Sequence, residues 1–195
     1  MIPVRDVIPT RTAPAATVAI LALLGAAFTL AEVREWWLPW LTHAAAIWLA
    51  GGAVEDRLGH GRFALLALAC LAVAAAALLG AGIPGLGPPG APCGMVAGVL
   101  AAHLTLFPRS RILTIVPVVV GVELEDVPAW AVFGVWAVVQ AAAAWSDATW
   151  SAPMALRETA ISSAAGAAAG VLGAVLLKRP ERLRVDWWDP PTRQR

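Results

Sequence analysis

Of the 195 residues, 59% belong to the apolar set and 14% are charged, against roughly 45–50% and about 25% in soluble domains. With a mean hydropathy of +0.73, the chain is too apolar for a water-soluble globule of this size or for a disordered segment. Fourteen Lys and Arg against thirteen Asp and Glu exclude a bulk basic field for nucleic acid, and two Cys in apolar stretches, Cys70 and Cys93, exclude a disulfide framework and a Cys-rich metal site.

An integral membrane protein is therefore expected. A span needs about 17–25 mostly apolar residues to cross about 30 Å of hydrocarbon at about 1.5 Å per residue. A lead of residues 1–11 carries Arg5 and Arg11. The first span, Thr12–Ala31, follows it. Basic residues before an apolar run resemble a secretory signal, but the length of the run and the spans that follow read it as a retained helix. After a short loop at Glu32–Glu35 comes the second span, Trp36–Val54. The next long stretch, Phe63–Pro108, carries no formal charge. Its Gly- and Pro-rich interior from Gly80 to Pro92 cannot be helical throughout. It splits into Phe63–Gly82 and a shorter helix from Ala91 to Phe107.

Ile112–Val122 has eleven uncharged residues around Pro117. That is too short to cross, and it reads as a short amphipathic connector at the interface. Val127–Ser146 and Thr159–Leu177 complete six spans, with no carboxylate inside any of them. The tail, residues 179–195, is mixed in charge and contains Pro, a flexible segment that touches lipid through Trp187 and Trp188. The expected fold class is all-α: a polytopic bundle of six transmembrane helices with a short fourth helix. The membrane domain runs over residues 12–178.

Orientation follows from the loops. With six spans, twelve Lys and Arg share the side of the two termini, and only Arg34 and Arg157 lie on the other. The excess places both termini in the cytoplasm, and Trp residues mark both boundaries. Helix contacts follow from small residues four apart, since lipid gives no hydrophobic drive for helices to associate. Gly94, Gly98 and Ala102 form one such series; Ser162, Gly166 and Gly170 form another, suited to cross the first.

Several blocks, taken in order, resemble the rhomboid family of intramembrane serine proteases of bacterial type. They are the lead Ile2-Pro3-Val4-Arg5-Asp6 with Pro9-Thr10-Arg11 and Pro14, the block Gly51-Gly52-Ala53-Val54-Glu55-Asp56-Arg57-Leu58-Gly59-His60-Gly61-Arg62-Phe63, and Phe107-Pro108-Arg109-Ser110-Arg111-Ile112-Leu113-Thr114 with Val127-Pro128-Ala129-Trp130. The resemblance covers about residues 2–178. It implies a rhomboid-like six-helix bundle in the bacterial inner membrane, with a water-accessible site near the outer side. At the site the sequence departs from the family pattern. Where the family has a serine nucleophile in Gly-x-Ser-Gly, this chain reads Ala91-Pro92-Cys93-Gly94. The position of the family's general-base His falls on Ser163, just before Gly166 and Gly170. In the second helix the oxyanion Asn becomes His43, its His partner becomes Pro39, and a further His becomes Arg34.

Acyl transfer needs an activated nucleophile, a base and donors for the oxyanion. A serine hydroxyl is no base near neutral pH, and Cys93 attacks only as thiolate. His43 has two readings: a relocated pair with Cys93, or a hydrogen bond to a neighbouring helix or to the water-filled cavity. His103 lies about 15 Å below Cys93 along the helix and is expected to bond locally, so no metal site forms with Cys93 and His43. His60 reads as solvated, and Glu123, Glu125 and Asp126 read as a solvated acidic run. Glu55 is expected to bond backbone N–H groups of the turn that follows it and to hold the bundle together. The expectation is a catalytically degenerate rhomboid that binds transmembrane segments of clients. The alternative is an endopeptidase working through Cys93. The lipid bilayer and a second copy of the chain are further expected partners. No cofactor and no nucleic acid are expected.

Overall fold

The computed structural model describes residues 2–6, 13–30, 37–83, 90–118, 121–146 and 152–178. Among the described residues six helices appear in chain order: α1 (Ala15–Leu30), α2 (Trp37–Leu58), α3 (His60–Gly80), α4 (Gly90–Leu106), α5 (Ala129–Ser146) and α6 (Ala152–Leu177). Three strands join them: β1 (Ile2–Asp6), β2 (Arg111–Val118) and β3 (Gly121–Pro128). The loop at 32–35, with Arg34, and the tail at 179–195 lie outside the described residues.

Local chemistry sets the turns. Gly59 has φ 88°, a conformation open to glycine, so α2 reverses into α3 without a loop. At the other end of α3, Gly82 has φ 73° and Ile83 N–H donates to the Leu78 carbonyl at 2.9 Å. This is a glycine-terminated helix end. Arg62 donates to the last carbonyl of α6, Leu177, at 3.1 Å, satisfying an acceptor the helix cannot.

The fourth helix is central. Twelve of its seventeen residues are buried, among them Cys93, Val96, Val99 and His103. A helix apolar on every side belongs inside a bundle. Ile47, Val54, Leu58, Phe63 and Leu66 pack against it, and Ile112 and Ala129 close the core at the sheet end. On the outside, Leu65, Leu68, Leu79, Val135, Val138, Leu172 and Leu176 are exposed. Such a belt of large aliphatic side chains suits lipid and not water. Two helices, His60–Gly80 and Met154–Leu177, are each long and apolar enough to cross a bilayer. At 17 residues, α4 reaches only about 26 Å, short as expected.

To the expected helical bundle the structure adds one small sheet. Residues 111–128 form an antiparallel hairpin, and the lead supplies a third strand, giving the order β1-β2-β3. The stretch read as an amphipathic connector is therefore mostly strand. Proline in a central strand would remove a ladder bond, yet β1 pairs with β2 only over Ile112–Ile115. At Pro117, β2 pairs with β3 alone, opposite Val122, so the proline stands beyond the three-stranded part of the sheet.

A second correction concerns α6, which starts at Ala152 and not at Thr159. Arg157 and Glu158 do not end the helix, and Glu158, only 6% exposed, is a carboxylate inside it.

Candidate functional site

The site is built on the closest helix pair, α4 against α6. A Cβ added at Gly94 would stand 2.5 Å from the Ser162 carbonyl oxygen, and one at Gly98 would stand 2.7 Å from that of Gly166. One at Gly166 would strike the Gly94 carbonyl, and one at Gly170 that of Gly98. The two small-residue series therefore meet, and the helices run parallel with α6 residues about 68–72 positions later in the chain. Only glycine allows backbones this close.

This register brings Cys93 and Ser163 together. Cys93 sits in the first turn of α4, just after Pro92, whose missing N–H falls among amides with no intrahelical partner. Its Sγ lies 3.3 Å from Ser163 Oγ, and Cys93 is fully buried. Beside it, Ser162 Oγ donates to the Thr159 carbonyl at 3.2 Å. Thr159 Oγ1 is buried without a hydrogen-bond partner among the described residues. The same register, continued one turn, sets Glu158 beside Gly90 at the start of α4, and the carboxylate interacts electrostatically with Cys93. Glu158 was not anticipated, although a signal existed. It extends the series Ser162, Gly166, Gly170 by one four-residue step, on the face that packs against α4.

His43 lies on α2, buried at 5% exposure, and engages α5. Gln140 Nε2 lies 3.3 Å from His43 Nδ1 and donates to Thr42 Oγ1 at 2.7 Å. The His43 ring meets Trp136 edge-on, with centroids 5.7 Å apart. An amide nitrogen only donates, so Nδ1 accepts and the ring proton sits on Nε2. Pro39 lies one turn earlier in α2. Gln140 and Trp136 were also missed, because nothing in an apolar span marks which polar residue faces a neighbour.

Glu55 lies in the last turn of α2 and is buried at 1% exposure. It accepts from Ala16 N at 2.8 Å, from Thr17 N at 2.7 Å and from Thr17 Oγ1 at 2.6 Å. His60 Nδ1 stands 2.5 Å from Oε1, the oxygen that also accepts from Ala16 N. The amides it serves belong to the start of α1 and not to the following turn, which corrects the expected partners. Since α1 has no acidic residue in its own first turn, Glu55 caps it from the neighbouring helix. His60, read as solvated, is 54% exposed and paired with Glu55. His103 bonds locally as expected, Nε2 to Ser110 Oγ at 3.0 Å.

Between α2, α5 and the sheet lies an apolar groove of about 340 Å³, lined by Thr42, Leu49, Thr114, Val127, Trp136 and Val139 among others. Among the described residues no cluster of three His, Cys, Asp or Glu could hold a metal ion.

A family model for the rhomboid domain matches residues 28–180. No curated protein and no solved structure gives a significant match.

Proposed function

The chain belongs to the rhomboid family, the family model covering well over half of its 195 residues, and we propose that this integral membrane protein is a pseudoprotease that binds transmembrane helices of clients without cleaving them. One observation carries this reading. Among the described residues, the groups that hydrogen-bond Cys93 Sγ are the Ser163 hydroxyl at 3.3 Å and the Ser162 hydroxyl beside it, and a hydroxyl does not take a proton from a thiol near neutral pH. His43, the imidazole on α2, bonds toward Gln140 and Trp136 of α5. The apolar groove between α2 and α5 is the surface proposed to hold a client helix. The membrane is the bacterial inner membrane. The basic residues put both termini and the sheet in the cytoplasm, with the lead at 1–11, the membrane domain at 12–178 and the tail at 179–195.

A second reading has a specific observation behind it. Glu158 is a buried carboxylate close enough for its charge to act on Cys93, and a carboxylate can serve as a base. The alternative is therefore a Cys93-dependent endopeptidase, with Glu158 or His43 accepting the proton.

Purified protein in liposomes with a generic single-span substrate separates the two. Wild type is expected to give no more product than Cys93→Ala. Cleavage by wild type that disappears in Cys93→Ala would overturn the pseudoprotease reading, and Glu158→Gln and His43→Ala would then identify the base. The double variant Cys93→Ser with Ser163→His tests whether the frame still supports the family's chemistry.

A further inference from the structure

Among the described residues the outer edge of the sheet is open. β2 lies between β1 and β3, and no other described strand pairs with β3. An unpaired edge presents a row of N–H and C=O groups ready to take another strand. The other outer strand, β1, lies against α2, whereas β3 leads straight into α5. The edge also has a sign. β3 reads Gly-Val-Glu-Leu-Glu-Asp-Val-Pro, three carboxylates and no cation, and Glu125 and Asp126 are exposed.

The apolar groove ends on this strand. Its wall runs down α2 and α5 and includes Thr114 of β2 and Val127 of β3. Val127 directly follows Asp126, so a helix lying in the groove delivers its next residues beside Glu125 and Asp126. With the sheet on the cytoplasmic side, those residues form the client's cytoplasmic flank, where transmembrane segments concentrate Lys and Arg. Apolar groove and acidic edge thus match the two consecutive parts of one ligand, an apolar helix followed by a basic segment.

We propose that the edge of β3 left unpaired among the described residues takes the basic, extended cytoplasmic flank of a client transmembrane segment as a fourth strand, with Glu125 on one face of the sheet and Asp126 on the other to meet its Lys and Arg side chains. This rests on the client-binding reading above, and it adds what selects the client. Strand addition supplies main-chain bonds, and the acidic side chains supply preference for basic flanks.

The test uses the full chain in phosphatidylcholine nanodiscs, which carry no anionic lipid to compete for the flank. The probes are fluorescent peptides with one Leu/Ala span and one of three flanks: Lys-Thr-Lys-Val-Lys-Thr, Ser-Thr-Ser-Val-Ser-Thr or Lys-Pro-Lys-Pro-Lys-Pro. A photocrosslinker in the groove at Val139 reports seating of the span. The Lys-Thr flank is expected to bind about fivefold tighter than the Ser flank. That preference is expected to vanish in the double variant Glu125→Gln, Asp126→Asn, whose melting temperature should match wild type because both side chains are exposed. The Lys-Pro flank, short of amide donors, is expected to lose most of the gain. Equal binding by all three flanks with groove labelling intact overturns the proposal and leaves client binding standing. Absence of groove labelling by every peptide overturns both.

Discussion

Gly166→Ala is expected to lower the thermal midpoint of the protein in detergent by several degrees, and Gly166→Leu to prevent recovery of the folded bundle. An added Cβ at Gly166 would meet the Gly94 carbonyl, and the group in its way is backbone and not a flexible side chain. Relief requires α4 and α6 to separate, and with them the contacts at Gly98 and Gly170. Overpacking of this kind costs typically about 1–3 kcal/mol, and here the loss extends along the interface. Gly134→Ala is the matched control. Nothing lies within 4 Å of a Cβ there, so its midpoint should stay level or rise slightly as helix propensity improves. Equal midpoints for Gly166→Ala and Gly134→Ala in differential scanning fluorimetry would refute the close α4–α6 crossing.

The second large effect is expected at Glu55. Removing its carboxylate by Glu55→Ala leaves Ala16 N, Thr17 N and Thr17 Oγ1 without the acceptor that caps α1. Each buried donor so stranded costs about 1–3 kcal/mol, so a loss of about 3 kcal/mol or more is expected. Glu55→Gln keeps one acceptor oxygen and should cost about 1 kcal/mol. His60→Ala should cost less again, since the imidazole is 54% exposed and exposed pairs contribute little. Chemical unfolding in mixed micelles ranks the three, and a His60→Ala loss equal to that of Glu55→Ala would contradict the assignment of Glu55 as the cap of α1.

Much of the helical frame was legible, because uncharged length and Gly-Pro interruptions are direct consequences of crossing lipid. The spacing of Gly94 and Gly98 and of Gly166 and Gly170 also announced close approach, and these residues do meet. The sheet was misread for a physical reason. Eight of the eleven residues from Ile112 to Val122 are β-branched, a strand signal that was weighed only against the length needed to cross. The alternation Val122-Glu123-Leu124-Glu125 continues it. The start of α6 was misread because charge was taken as the end of a span, whereas Glu158 is buried in helix while Arg157 is exposed. Glu55 was recognised as structural, but its partners on α1 lie 38 and 39 positions earlier, beyond what local spacing reveals. That Cys93 and Ser163 occupy two positions of the family's site is implied by the resemblance alone, as no motif in the 69 intervening residues connects them.

The sheet also orders events during synthesis. Ile2 pairs with Ile115, so the first strand is made 113 residues before its partner exists. At about 5–20 residues per second, the ribosome needs on the order of ten seconds to supply it, and four helices must be threaded into the translocon meanwhile. The waiting strand is five residues long, contains a proline and is broken by a bulge between Pro3 and Arg5. Those features make it a poor template for pairing with nascent neighbours while the hairpin is awaited.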